Sequence, residues 1–222
     1  MRSFGKSGFK HDEVGTPAMN RDEALGLLER SGALLSGHFE LTSGLHSDRY
    51  VQKARVLEQP EVAMRLAREI ASWYQGIDVV LSPAVGAIPL GFAVALAAGA
   101  RSIFAEREDG RMRVRRGFVI EPGERTLVAE DVVTTGGSAR ACFDLASELG
   151  AETLGVAALV DRSSGHLGFP LRAIVRVEAT TWASAGCPLC RRGVAIDAPG
   201  SRFRSAQVLK TLASDEPVSK RS

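Results

Sequence analysis

The chain has 222 residues, 45% of them hydrophobic and 24% charged, and 28 Lys and Arg against 26 Asp and Glu leave a net charge of +2. That apolar fraction can fill a core and excludes a dominantly disordered chain, while a charge so near neutral gives no bulk electrostatic ground for binding nucleic acid. Three Cys are too few for a disulfide scaffold, and the odd number points to a reducing compartment, so a cytoplasmic protein is expected.

Residues 1–19 are polar, Gly-rich and without period; they are expected as a loose tail before one domain over 20–212, with a frayed tail at 213–222. The start, Met1-Arg2-Ser3-Phe4-Gly5, lacks the apolar stretch of a signal peptide. Asn20 reads as a helix N-cap, with Glu23 three residues on and Leu25, Leu27 and Leu28 behind it. A second helix is predicted over 60–74, with Val62, Leu66 and Ile70 on one face. Residues 79–100 carry no charge and are long enough to span a bilayer. Pro83, Gly86, Pro89 and Gly91 punctuate them, so a strand over 77–81, a loop and a buried helix over 89–98 are expected, and no membrane contact. Strands are predicted over 102–105, 126–129, 153–160 and 173–177, and a helix over 138–149 stopped by Gly150. Such alternation implies an α/β fold, a parallel sheet flanked by helices. The 23 Gly and the aromatic content of only 6% agree with many tight turns around an aliphatic core.

The most informative segment runs Thr126-Leu127-Val128-Ala129-Glu130-Asp131-Val132-Val133-Thr134-Thr135-Gly136-Gly137-Ser138. An apolar strand ends in two acids, and a small-residue loop leads into a helix. Gly136 and Gly137 let backbone N–H groups approach an anion. Ser138 can cap the helix, whose N-terminus adds positive potential. Together these make a phosphate cradle. The acid pair suits sugar hydroxyls beside that phosphate, or Mg²⁺ held through water. Other phosphate and catalytic motifs fail: Gly5-Lys6-Ser7 has no Gly five residues upstream, no two Gly have a single residue between them, as GxGxxG requires, and HExxH and GxSxG do not occur.

This segment resembles the phosphoribosyl-pyrophosphate (PRPP) motif of type I phosphoribosyltransferases. The resemblance implies that fold, with a small hood from the N- and C-terminal segments. It also implies PRPP binding by Glu130, Asp131, Val132, Val133, Thr134, Thr135, Gly136, Gly137 and Ser138, the acids on the ribose hydroxyls and the loop on the 5′-phosphate. Further segments resemble the orotate phosphoribosyltransferases within that family. Phe39-Glu40-Leu41-Thr42-Ser43-Gly44-Leu45-His46-Ser47-Asp48-Arg49-Tyr50 is similar to their substrate segment, and Ser82-Pro83-Ala84-Val85-Gly86-Ala87-Ile88-Pro89 to the loop lining their pyrophosphate site. Val160-Asp161-Arg162 matches an Asp-Arg whose Arg meets the orotate carboxylate, a sound pairing for a planar guanidinium. Orotate binding is thus implied for Thr134, Arg162, Ser43 and Gly44. Cys187-Pro188-Leu189-Cys190 with Pro199-Gly200-Ser201 resembles the end of one bacterial subgroup.

The resemblance implies Arg107 and Asp131 as catalytic, Mg²⁺ bound mainly through PRPP with Glu130 and Asp131 able to reach it through water, and a homodimer whose lid, 106–117, lies near the neighbouring active site. The chain departs from better-known members: Thr42 and Gly86 stand where those have Lys, and Glu108 follows Arg107 where their loop has a Lys. The lid contains neither Lys nor His; Arg111 or Arg113 could supply the charge, and Asp109-Gly110 also reads as a plain hairpin turn. His46, alone after a turn, is expected to be solvated. Cys187 and Cys190 are expected in a loop as structural packing, because zinc needs four ligands and the sequence has no second CxxC and no HxxxH. Cys142 is expected in the core. Arg191, Arg192, Arg202 and Arg204 read as solvated charges. Two other functions remain open, a purine phosphoribosyltransferase and a non-catalytic PRPP sensor.

Overall fold

The computed structural model describes residues 19–41 and 43–199. The expected end tails, Thr42, Gly200-Ser201 and the pair Arg202 and Arg204 lie outside the described residues. In chain order the elements are α1 (Arg21–Arg30), β1 (Leu34–Glu40), β2 (His46–Val51), α2 (Ala54–Leu57), α3 (Pro60–Ser72), β3 (Val79–Pro83), α4 (Ile88–Ala98), β4 (Arg101–Glu108), β5 (Arg111–Val114), β6 (Arg125–Val133), α5 (Gly137–Glu148), β7 (Glu152–Asp161), β8 (Leu171–Arg176), β9 (Thr181–Trp182) and α6 (Pro188–Arg191). They form two compact units. One spans 53–178 together with residues up to Gly32; the other combines 33–52 with 179 onward.

The larger unit is built on a six-stranded sheet of order β5-β4-β3-β6-β7-β8. All its neighbours run parallel except β4 and β5, a hairpin. Strand β3 is buried at all five positions, as strands covered on both faces are. Alternate side chains point to opposite faces: Val79 and Leu81 join Ile103, Ala105, Val128, Val156 and Ala158 in a core against Ala139, Cys142 and Ala146 of α5. Cys142 is fully buried there, and burial pushes its thiol up to about 12.

Most element boundaries follow from local chemistry. The Asn20 side chain accepts from the Glu23 N–H at 2.9 Å and starts α1. Helix α3 begins with Pro60 in its first turn, buries Ala63, Leu66, Ala67 and Ile70, and ends at Ser72, two residues short of expectation. Residues 79–100 divide into strand, turn and helix, and among the described residues no helix is long and apolar enough to cross a membrane. Helix α4 is not buried all round as expected. Leu90, Ala93 and Val94 are inside, but Phe92 and Leu96 are 62% and 53% exposed.

At Gly91, α4 packs directly against β3. A Cβ there would overlap the Ser82 hydroxyl and stand 3.0 Å from the Ser82 Cβ, and Ser82 is buried. Overpacking of this kind typically costs about 1–3 kcal/mol. Gly91→Ala is therefore expected to lower stability by about 3 kcal/mol, measured as a fall in the urea midpoint at unchanged slope.

The smaller unit holds a three-stranded antiparallel sheet of order β1-β2-β9, followed by a single 3-10 turn and α6. Its chain segments come from near the two ends of the sequence, as those of the expected hood do.

Candidate functional site

Strand β6 is longer than predicted. It pairs with β7 as far as Val133↔Asp161, so Glu130 and Asp131 lie within the strand, three and two residues before its end. The turn Thr134-Thr135-Gly136 follows, and α5 starts at Gly137. Gly136 caps the helix with φ 75°, and no side chain caps it. Ser138, expected as the cap, lies in the first turn instead. Two physical facts require Gly at 136: its φ is left-handed, and a Cβ would stand 2.9 Å from Leu167 Cδ2. The first intrahelical bond is Arg140 N–H to the Gly136 carbonyl, 2.7 Å, so the N–H groups of Gly137, Ser138 and Ala139 have no helical acceptor. Uncapped donors at the positive end of a helix form an anion site. They border a solvent-open depression lined by Glu130, Val132, Val133, Thr134, Thr135 and the first turn of α5.

The two carboxylates sit at the mouth of this loop in different surroundings. Asp131 is 2% exposed. Its Oδ1 accepts from the Val132 N–H at 2.7 Å, and its Oδ2 lies 2.6 Å from Lys53 Nζ. The Lys53 contact is an ion pair without hydrogen-bond alignment, which leaves Oδ2 buried and unbonded. Glu130 Oε1 accepts from the Asp131 N–H at 3.1 Å. Burial first, and the neighbouring Asp131 charge second, push the Glu130 carboxyl up to about 8.

Lys53 is the residue that sequence reasoning missed. It directly precedes α2, and the only linear signal is a lone Lys nine residues after Gly44. A Cβ on Gly86 would lie 2.8 Å from both Lys53 Nζ and Asp131 Oδ2. The ammonium thus occupies the space beside Gly86, the position where better-known relatives of the motif carry Lys. In the same loop the Ala84–Val85 peptide is cis.

The segment expected as a lid includes the β4–β5 hairpin, turned by Asp109 (φ 48°) and Gly110 (φ 79°), the conformation Asp-Gly turns favour. Its charges largely pair among themselves. Arg107 Nη1 donates to the Gly110 carbonyl at 2.8 Å, Arg113 and Arg115 meet Glu108 at 3.3 and 3.0 Å, and Arg116 meets Glu106 at 2.8 Å. The Arg116 guanidinium holds the Glu106 carboxyl below its ordinary value. Arg107 is therefore tied to its own turn. Arg111 is exposed and has no ion pair among the described residues.

Arg162 follows β7, and its N–H donates to the Val133 carbonyl at 2.8 Å. Its backbone is thereby anchored one residue from Thr134, and its side chain is half-buried. Ser43 and Gly44 lie in the turn between β1 and β2 of the smaller unit, exposed, with Gly44 at φ 78°. His46 is not solvated: it begins β2, is 6% exposed and lies against His38. Cys190 is not in a loop but within α6, while Cys187 lies in the extended link just before that helix.

No protein-family model matches the chain. It is 46% identical over 188 residues to orotate phosphoribosyltransferase of Desulforamulus reducens, covering 83% of this chain and 98% of that one. It is 48% identical over 188 residues to orotate phosphoribosyltransferase of Pelotomaculum thermopropionicum, covering 83% and 99%. Among solved structures, orotate phosphoribosyltransferase of Mycobacterium tuberculosis in complex with inorganic phosphate superposes with a TM-score of 0.54 at 28% identity, over 70% of this chain and 95% of that one. That of Aeropyrum pernix gives 0.55 at 25%, over 68% and 92%. Adenine phosphoribosyltransferase of Rhodothermus marinus gives 0.54 at 22%, over 70% and 99%, a likeness of fold alone.

Proposed function

Because the chain belongs to the orotate phosphoribosyltransferase family, and so transfers the 5-phosphoribosyl group of PRPP to orotate in pyrimidine biosynthesis, we propose how its own residues carry that transfer. The supporting observation is the juxtaposition of Glu130 and Asp131 with the uncapped start of α5. The N–H groups of the first turn of α5, with Thr134 and Thr135, take the 5′-phosphate, and the two carboxylates take the ribose hydroxyls. In the reaction the bond from the ribose C1 to pyrophosphate breaks, with its electron pair leaving on pyrophosphate. The bond from C1 to orotate N1 forms as N1 gives up its proton to water. Catalysis then rests on alignment and on fixed charges. Lys53, already beside Asp131 and Gly86, is placed to meet pyrophosphate charge. Arg107 adds to it once it leaves the Gly110 carbonyl, and the exposed Arg111 is the better candidate than Arg113 for the missing lid Lys. Mg²⁺ fits the all-oxygen donors, including the unbonded Asp131 Oδ2; Glu130 and Asp131 would reach it through water, and it would neutralise the leaving pyrophosphate. The family resemblance supports a homodimer in which 106–117 reaches the neighbouring site, and the three free thiols agree with a cytoplasmic setting.

Arg162 is assigned the orotate carboxylate. A charge-assisted pair contributes about 1.5–3 kcal/mol, so Arg162→Ala is expected to raise the apparent KM for orotate by about tenfold to a hundredfold with a small change in kcat. The test is a spectrophotometric assay of orotate with PRPP and Mg²⁺, run against adenine, guanine, hypoxanthine and xanthine. Turnover with orotate alone is expected. Turnover with a purine but not orotate would reject the substrate, no turnover would favour a PRPP sensor, and a wild-type KM in Arg162→Ala would reject the carboxylate assignment.

A further inference from the structure

The smaller unit contains a cluster that phosphoribosyl transfer does not use. His38 of β1, His46 of β2, Cys187 before α6 and Cys190 within it each turn one ligand atom inward, and the four atoms lie within 4.8 Å of one another. His38 Nε2 is 2.9 Å from His46 Nδ1, 3.5 Å from Cys187 Sγ and 3.6 Å from Cys190 Sγ, and Cys190 Sγ is 3.2 Å from His46 Nδ1. Bond lengths of about 2.3 Å to sulfur and 2.0–2.1 Å to nitrogen put tetrahedral zinc ligands ~3.5 Å apart for N and S and ~3.3 Å for two N. The cluster is within a few tenths of an ångström of that shape at each of these pairs.

Hydrogen bonding alone accounts poorly for this convergence. His38 Nδ1 lies 2.8 Å from the Val194 carbonyl. A carbonyl only accepts, so Nδ1 carries a proton, and the neutral tautomer of that kind is the one that turns an Nε2 lone pair toward the cluster. That single lone pair faces three neighbours, and it can accept one well-aligned bond. His38 and His46 are 3% and 6% exposed and Cys187 is fully buried, where unsatisfied polar atoms are costly. A cation satisfies all four atoms together, and the Val194 carbonyl then serves as the outer hydrogen bond that orients a ligating imidazole. Two N and two S in a tetrahedron select zinc over harder cations.

We propose that His38, His46, Cys187 and Cys190 bind one Zn²⁺ in a closed structural site that staples the β1–β2 hairpin to the β9–α6 segment. The smaller unit has reason to need one. A unit with a small apolar core is one in which a metal or disulfide usually has to supplement packing. Leu34, Phe39 and Leu189 are its only large buried apolar side chains among the described residues. The proposal is independent of the reaction assigned above, and its readouts do not use activity.

The test is metal analysis of untagged protein purified without added zinc. About one zinc per chain is expected, retained through dialysis and released by thiol modification. Replacing it with Co²⁺ should give the intense visible bands of a tetrahedral site and a thiolate charge-transfer band. Cys190→Ser and His46→Asn should each lower zinc content at least about tenfold, since losing even an outer partner of a ligand costs about 10–100-fold in affinity, while Cys142→Ser keeps it. Stripping zinc from the wild type should speed amide exchange in β1, β2 and β9 by about tenfold or more and leave β3, β6 and β7 unchanged. A wild type that neither carries zinc nor gives the Co²⁺ spectrum overturns the proposal. So does iron in its place, or zinc retained in both ligand variants.

Discussion

Asp131→Asn is expected to lower kcat/KM for PRPP by about 10²–10⁴ while leaving the fold intact. Each hydrogen bond from a ligand hydroxyl to a carboxylate contributes about 1.5–3 kcal/mol, and two such bonds at 1.36 kcal/mol per tenfold give that range. The substitution keeps the shape of the side chain and the Val132 N–H bond to it, and removes the charge. Lys53 loses its ion pair, but its side chain is 45% exposed, so water takes over and the cost to stability is small. A second signature separates loss of charge from misfolding. The Asp131 charge is the second cause that raises Glu130, so the variant's pH profile should shift to lower pH as Glu130 relaxes toward the ordinary carboxylate range. The measurement is steady-state kinetics with PRPP varied at several pH values. A kcat/KM within threefold of wild type would remove Asp131 from the ribose site.

Glu130→Gln should move activity and stability in opposite directions, with a definite pH dependence. Folding raises the Glu130 carboxyl from 4.5 to about 8, through burial first and Asp131 second. Between those values the folded chain holds a proton that the unfolded chain has released. Glu130 therefore lowers stability progressively as pH rises through that window, with the full cost above about 8. Glutamine carries no such cost. The variant should melt at nearly the wild-type temperature near pH 5 and at least ~5 °C higher near pH 9, since each kcal/mol is worth about 2–4 °C in a chain of this size. Activity should fall by about tenfold or more, because the ribose hydroxyls lose a charged acceptor. In the wild type, PRPP selects the ionised form of Glu130, so its affinity should rise with pH up to about 8 and binding should release a proton. Calorimetry in two buffers of different ionisation enthalpy reads that release. A melting difference that does not grow with pH would contradict a buried, raised carboxyl.

Both expectations concern a segment that was legible from residues alone. An apolar run ending in two acids, then small residues and a helix, carries its own geometry, because strand, turn and helix start are local. The division of 79–100 was legible for the same reason, since Pro and Gly break it regardless of surroundings, and so was the Asp109-Gly110 turn. Edges were less so. Strand β6 runs through Glu130 and Asp131 because β7 continues beside it to Asp161, and pairing partners are not written in the strand that they extend. Gly136 caps α5 in place of Ser138 because Leu167 packs where a Cβ would go. The exposure of Phe92 and Leu96 likewise depends on how α4 lies on the sheet, not on its composition.

The residues whose meaning is hardest to read along the chain are those that act with distant partners. Lys53 is one lysine among many charged residues until folding brings it to Asp131, whose buried carboxylate needs a cation. Cys187-x-x-Cys190 looks like half a metal site, and the sequence contains no second half in any recognised spacing. The missing ligands are a histidine on each strand of a hairpin, 149 positions from Cys187 in the case of His38. Sequence by itself therefore determined the α/β alternation, the phosphate loop and the family, each of which rests on local periodicity or contiguous motifs. Tertiary structure alone decided the charge beside Asp131 and the His38, His46, Cys187 and Cys190 cluster. Ion pairs and metal sites depend on distance in space, and chain separation sets no limit on that.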